Sequence, residues 1–191
     1  MLYLCSEMRI KIDIDNVIRD MSGEMVTLYN SVYRNKLTRE FTKDDIKDYD
    51  VNISFPLCKN EARKFFFDTF AETVYGAAKP MKDATNGLVK LKEMGHEIIL
   101  VSYQPTMKSK EYTLGWLRKW NIPYDALVFT NKEDKTIISA DYIIDDNPKF
   151  LDMDPAKKVC IDWKYNRGRT YDYRVKSINE FVKKLKEAEN E

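Results

Sequence analysis

Hydrophobic and polar positions alternate strictly over Met8-Arg9-Ile10-Lys11-Ile12-Asp13-Ile14-Asp15, which puts Ile10, Ile12 and Ile14 on one face. A period of two predicts a β-strand, here with carboxylates at its C-terminal end. From about Asp20 to Ala78 the pattern changes to long, aromatic-rich helical stretches, Met21 to Tyr33 and Glu61 to Tyr75, the second carrying Phe65, Phe66, Phe67 and Phe70. The polar, acidic stretch Thr38 to Asp50 separates them. Pro80 then leads into a helix over Asp83 to Met94, with Leu88, Leu91 and Met94 three apart and Gly95 as its C-terminal stop. The apolar run Glu97 to Ser102 predicts a buried strand. A helix from about Lys108 to Trp120 follows, with Thr113, Trp116, Leu117 and Trp120 on one face. Short strands are predicted at Ala126 to Phe129, at Tyr142 to Ile144 ending in Asp145-Asp146, and at Val159 to Ile161 ending in Asp162. Ser177 and Glu180 have the spacing of a capping box before a last helix with the stripe Ile178, Phe181, Val182 and Leu185.

Strands alternating with helices predict an α/β domain, a Rossmann-like parallel sheet with helices on both faces. Residues 20–78 interrupt that rhythm directly after the first strand. They are read as a small helical cap inserted into a core made of 1–19 and 79–191. No internal repeat or low-complexity tract is found.

Composition narrows the function. The 191 residues suit one domain with an insert, and 32 Lys plus Arg against 31 Asp plus Glu give a net charge of +1. That balance supplies no electrostatic reason to bind polymeric nucleic acid or an anionic membrane, yet leaves room for a local site for one phosphate. The apolar start Met1 to Cys5 meets charge at Glu7, Arg9 and Lys11, too early for a signal-peptide core, so a cytoplasmic protein is expected. Cys5, Cys58 and Cys160 form no CxxC pair, so neither a disulfide framework nor a zinc site is indicated. Oligomeric state is left open, a homodimer included.

In open α/β sheets ligands bind beyond the carboxyl ends of the strands. Asp13 and Asp15, Ser102, and Asp145 and Asp146 all fall there. Two like charges ~4 Å apart repel by roughly 4 kcal/mol at an effective dielectric of ~20. A hard divalent cation on carboxylate oxygens and water removes that penalty, and Mg²⁺ suits a site with few protein ligands. Surface exposure of the aspartates is the competing reading. The single histidine, His96, lies at the start of the second strand, opposite these strand ends, which leaves it structural and argues against Ser-His-Asp or Cys-His chemistry. The six glycines form neither a GxGxxG nor a Walker A loop.

The ordered set of these segments resembles the haloacid dehalogenase-like phosphohydrolases. Asp13-Ile14-Asp15-Asn16-Val17 is similar to the first motif of that family, DxDx(T/V), and Ile98 to Ser102 to the second. Lys135 to Asp146 is similar to the third and fourth together. The run Asp134-Lys135-Thr136 before an apolar strand ending in Asp-Asp resembles the 5′(3′)-deoxyribonucleotidase branch, as does a cap after the first motif. Asn16 departs from the family's frequent Gly or Thr. Many members carry their lysine on the helix after the second motif, where Lys108 and Lys110 stand; Lys135 is preferred and Lys110 is the reserve.

The resemblance implies a Mg²⁺-dependent phosphomonoesterase acting through an aspartyl-phosphate, on a nucleoside or deoxynucleoside monophosphate. Asp13 would be the nucleophile and Asp15 the acid/base. Asp13, Asp15 through its carbonyl, and the Asp145-Asp146 pair would hold the metal, with Asp146 the more direct ligand; Ser102 and Lys135 would bind the phosphoryl oxygens. The alternatives are a phosphatase for another small phosphoester such as a sugar phosphate, and a non-catalytic binding protein of the same fold. Most of the Phe65 to Phe70 cluster is expected in packing, with one or two members free to stack on a base. Asn166 and Arg167, in the segment after the fifth strand, are candidates for the site rim or for a plain loop.

Overall fold

The computed structural model describes residues 7–58, 60–130 and 134–189; the N-terminal apolar run with Cys5 lies outside them. Among the described residues, six parallel strands form one sheet: β1 (Arg9–Ile12), β2 (Glu97–Tyr103), β3 (Ala126–Thr130), β4 (Tyr142–Asp145), β5 (Lys157–Ile161) and β6 (Tyr173–Val175). Their spatial order is β3-β2-β1-β4-β5-β6. β1 sits centrally, with Ile10 opposite both Ile98 and Tyr142. The chain builds outward through β2 and β3, then returns to place β4 against the other edge of β1. That reversal opens a crevice beyond the carboxyl ends of β1 and β4.

One face carries the main core. Ile10, Ile12, Ile98, Leu100, Ile144, Val159 and Ile161 pack there with α4 (Ala84–Glu93), α5 (Met107–Lys119) and α7 (Ile178–Glu189). Gly87 lets α4 and α7 approach closely, because a Cβ on it would lie 2.7 Å from the Asn179 backbone nitrogen. Gly95, at φ +86°, ends the α4 turn in the left-handed region that glycine enters without strain. The second face is smaller. Ile143 and Cys160 pack there against Leu151 of α6 (Pro148–Met153).

The alternation that marked β1 does not mean a solvated face. Lys11 is 1% exposed, and its ammonium lies 2.5 Å from Asp154, itself buried at the end of α6. A buried charge survives only when paired and hydrogen-bonded, and Lys11 also donates to the carbonyls of Ile138 at 2.7 Å and Lys135 at 3.3 Å. The predicted strand to Asp15 is shorter in the structure. Asp13 N still donates to Ile144 O at 2.9 Å, but the Ile14 carbonyl already accepts from Ile18 N and Arg19 N and so begins a turn.

β6 and α6 are absent from the sequence-derived elements. β6 is three residues long at the sheet edge, and α6 is a six-residue helix announced only by the Asn147 cap and Pro148. The capping box at Ser177 forms halfway. Ser177 Oγ accepts from Glu180 N at 3.2 Å, while Glu180 reaches past it to Lys176 N at 2.8 Å.

Between β1 and α4 lie α1 (Met21–Tyr33), α2 (Val51–Ser54) and α3 (Glu61–Arg63), which runs on into π-helical turns at Lys64–Thr69 and Thr73–Ala77. This segment has its own core of Met25, Leu28, Tyr29, Phe55, Ala62, Phe66 and Val74. Glu61 to Tyr75 is therefore not one regular α-helix. Phe70 N donates to Phe65 O, five residues back, which widens the turn. Phe66 is fully buried, its ring 4.5 Å from that of Phe55. The segment leaves and rejoins the sheet by two neighbouring passes: Asp20 N donates to Lys79 O and Met81 N to Ile18 O, both at 2.8 Å. No helix among the described residues is long and apolar enough to cross a membrane.

Candidate active site

Adjacent strands deliver the site floor. Among the described residues, Asp13 at the end of β1 and Asp145 and Asp146 at the end of β4 each offer a carboxylate oxygen, all within 4.8 Å of one another. The Lys135 ammonium sits against two of them, 2.7 Å from Asp13 Oδ1 and 2.7 Å from Asp145 Oδ2. Behind it, the Lys11–Asp154 pair secures the main chain through the carbonyls of Lys135 and Ile138. Asp134 turns that loop by accepting from Thr136 N at 2.9 Å. Asp145 also accepts from Asn147 N at 2.9 Å, and Asp146 accepts from the Tyr165 hydroxyl. Asn166 Nδ2 donates to the carbonyls of Asp146 and Ile161, both at 2.8 Å, tying the loop after β5 to the end of β4.

One ammonium cannot neutralise three buried carboxylates. Burial raises the Asp145 carboxyl above its ordinary range, with Lys135 only partly offsetting it and Asp13 adding to it. Asp146 is raised as well, by burial first and then by Asp145 and Asp13. Burial alone would lower the Lys135 ammonium, but Asp13 and Asp145 override it and hold Lys135 above the usual lysine value. An all-oxygen donor set with residual negative charge fits a divalent cation, which would relieve that repulsion.

Asp15 stands apart from this cluster. Arg19 Nε donates to Asp15 Oδ1 at 2.7 Å, and Nη2 lies 2.6 Å from the same oxygen. Gln104 Nε2 donates to Asp15 Oδ2 at 3.1 Å and to Ser102 Oγ at 3.1 Å. Burial raises the Asp15 carboxyl, Arg19 pulls it back, and Asp13 adds to the rise.

Asn16 stands where the family often has glycine. Its backbone is left-handed, at φ +59°, a conformation asparagine tolerates better than other L-residues. Its side chain accepts from Ser22 N at 2.9 Å at the start of α1, and its carbonyl accepts from Trp163 Nε1 at 2.9 Å.

A cavity of about 520 Å³ lies above Asp15, lined by Val51, Phe67 and Tyr75 of the helical segment and by Tyr103, Thr106, Asn147 and Phe150 of the sheet side. Phe67 is thus the member of the phenylalanine cluster that faces this space. His96 is buried at the opposite end of β2, accepting from Met8 N at 3.4 Å. Cys58 and Cys160 are free thiols, and burial pushes Cys160 up to about 12. Lys110 is half-buried on α5, and Arg167 pairs with Asp162 at 2.9 Å. Three residues at the site escaped sequence reasoning: Arg19, Gln104 and Tyr165. The first carried a weak signal, a basic residue four positions after Asp15.

Residues 7–188 match the family described as 5′ nucleotidase, deoxy (pyrimidine), cytosolic type C protein. A 5′(3′)-deoxyribonucleotidase of Bacillus subtilis is 27% identical over 180 residues, 92% of this chain and 97% of that one. One from Clostridium acetobutylicum is 25% identical over 184 residues, 90% of this chain and 94% of that one. Among solved structures, a haloacid dehalogenase-like family hydrolase from Streptococcus pneumoniae superimposes with a TM-score of 0.65 at 13% identity, covering 94% of this chain and 99% of that one. A haloacid dehalogenase-superfamily hydrolase from Geobacter sulfurreducens gives 0.58 at 11% identity, covering 94% and 96%. These likenesses reflect the shared fold. With its motifs on the strand ends and the match running almost end to end, the chain belongs to the 5′ nucleotidase, deoxy (pyrimidine), cytosolic type C family, within the haloacid dehalogenase-like phosphoric monoester hydrolases.

Proposed function

We propose that this protein is a Mg²⁺-dependent phosphomonoesterase that dephosphorylates nucleoside or deoxynucleoside monophosphates through an aspartyl-phosphate. The observation that carries this is the separation of two kinds of aspartate: Asp13, Asp145 and Asp146 converge with Lys135, while Asp15 stands beside them on Arg19 and Gln104.

A carboxylate oxygen of Asp13 attacks phosphorus, and the bond from phosphorus to the ester oxygen breaks with its electron pair on that oxygen. Asp15 gives this oxygen a proton, so the alcohol leaves neutral. Asp15 then takes a proton from water as the water oxygen attacks phosphorus, releasing inorganic phosphate and restoring the Asp13 carboxylate. Lys135 and Ser102 hold the phosphoryl oxygens and favour the charge that builds on them. Asp13, Asp145, Asp146 and the Asp15 carbonyl are the groups that would hold Mg²⁺, which when bound offsets negative charge on the phosphoryl group.

Residues 20–78 act as a cap over this centre, with Phe67 offered to the substrate's base across the cavity. The family's curated relatives named as deoxyribonucleotidases support this choice of substrate. Purified protein is to be screened against nucleoside monophosphates, sugar phosphates and an aryl phosphate, with Mg²⁺ and with EDTA. Turnover of nucleotides that EDTA abolishes is expected. Preference for a sugar phosphate would overturn the substrate assignment, and no turnover of any phosphomonoester would overturn the catalytic one.

A further inference from the structure

Arg19 is a fully buried arginine one turn beyond the first motif, and its place in the fold is unusual for a charge. The guanidinium lies between two rings, 5.2 Å from the centre of Tyr75 and 5.3 Å from that of Trp116. Its Nη1 donates to the Tyr75 carbonyl at 2.8 Å, in the segment returning to the sheet, and to Thr113 Oγ1 at 3.1 Å on α5. Its backbone is fixed as well, with the Arg19 carbonyl accepting from Asn16 N at 2.8 Å. What remains, Nε and Nη2, converges on one oxygen of Asp15.

A guanidinium has donors only and is always charged, so an oxygen it covers is an acceptor and does not carry the proton. Asp15 Oδ1 is covered in this way. Oδ2 faces Gln104, whose amide leaves that oxygen a second lone pair. We propose that Arg19 is a positioning residue for the reaction: it clamps Oδ1 of Asp15, using Tyr75 and Thr113 as anchors, and so assigns proton transfer to Oδ2. This rests on Asp15 being the acid/base. A lysine at position 19 keeps the charge but has one nitrogen where the guanidinium has three, so it cannot hold Asp15 and both anchors in the same geometry.

The consequence is a loss that depends on the leaving group. An alkoxide leaving from a nucleotide needs the proton, whereas a nitrophenolate leaves without it. The second-order constant kcat/KM reports the steps through leaving-group departure, so later hydrolysis of the phosphorylated enzyme does not enter it. The experiment measures kcat/KM of wild type, Arg19→Lys, Arg19→Gln, Thr113→Val and Asp15→Asn on a nucleoside monophosphate and on p-nitrophenyl phosphate. The fold of each variant is checked by thermal unfolding.

For Arg19→Gln the nucleotide value should fall about 100-fold and the aryl value by no more than about threefold, a gap of the size general-acid catalysis supplies. Arg19→Lys should fall in between, and Thr113→Val, which loosens one anchor without touching Asp15, should show the same selectivity on a smaller scale. Equal losses on both substrates for the folded Arg19 variants, with Asp15→Asn selective, would make Arg19 a packing residue and overturn the proposal. If Asp15→Asn itself lowers both substrates equally, the acid role of Asp15 fails, and the assignment built on it falls for that separate reason. If the Arg19 variants do not fold, Thr113→Val decides alone: selective loss supports the clamp, and an unselective loss or none refutes it.

Discussion

Replacing Lys135 with methionine tests the electrostatics of the site without changing side-chain length much. In the wild type the Lys135 ammonium, 3% exposed, is 2.7 Å from both Asp13 and Asp145. The variant leaves three neighbouring carboxylates with no cation among them. Breaking a buried pair by removing one partner costs about 3–5 kcal/mol, because the remaining charge is desolvated and unpaired. That cost depends on pH in a definite direction. A carboxyl whose folded value lies above its unfolded one, near 3.9 for aspartate, contributes stability at low pH that is lost as pH rises through the folded value. Asp145 and Asp146 are already raised by burial, and losing Lys135 raises them further. Below pH 8 the folded variant therefore holds more protons than the folded wild type, and between pH 5.5 and 8 one whole extra proton is worth at most about 3 kcal/mol. Urea unfolding in EDTA should therefore show a deficit against wild type of about 3–5 kcal/mol at pH 8 that narrows at pH 5.5. An equal deficit at the two pH values, or one below about 1 kcal/mol at pH 8, would refute the picture of Lys135 as the neutralising group.

Other consequences follow from the same geometry. Because the raised carboxyls hold protons that compete with a cation, Mg²⁺ should lift the melting temperature more at pH 8 than at pH 5.5, as read by calorimetry; a larger lift at the lower pH would contradict this. Gly87→Ala would drive a Cβ to 2.7 Å from Asn179 N and 2.8 Å from Ile178 Cγ2. Overpacking of this kind costs about 1–3 kcal/mol, which for a domain this size lowers Tm by about 2–12 °C with kcat little changed. Phe67→Ala should raise KM for nucleoside monophosphates by roughly 5- to 150-fold, the worth of one stacked base, while sparing p-nitrophenyl phosphate. An equal effect on both would remove Phe67 from base recognition.

The sheet was legible because its central strands are continuous apolar runs, such as Ile98 to Val101 and Tyr142 to Ile144, which only burial on both faces explains. The strand ends carrying Ser102, Asp145 and Asp146 were legible for the same reason, and the one carrying Asp13 from the alternation of Ile10, Ile12 and Ile14, since a strand's end locates its last polar residue. The three-residue β6 and six-residue α6 were not, because elements so short carry less than one period of pattern. The partner of Lys11 was not legible, because alternation cannot distinguish solvent from a buried partner such as Asp154, 143 positions later. Gln104 and Tyr165 reach Asp15 and Asp146 through loops whose paths follow from tertiary packing rather than local spacing, whereas Arg19 meets Asp15 across a local turn whose spacing is only a weak signal. In the helical segment the π-helical turns at Lys64–Thr69 shift the helical period, so which phenylalanine is buried and which faces the cavity was hidden from a count at 3.6 residues per turn.

The central claim is that Asp13 becomes covalently phosphorylated. The direct measurement is to mix enzyme, Mg²⁺ and a ³²P-labelled nucleoside monophosphate, quench in acid within milliseconds, and count radioactivity retained on the denatured protein. The account predicts label on the wild-type chain that hydroxylamine releases, as it does from an acyl phosphate, and none on Asp13→Asn. Turnover of the same substrate with no label on the wild-type chain at any quench time, or equal label on Asp13→Asn, would contradict it.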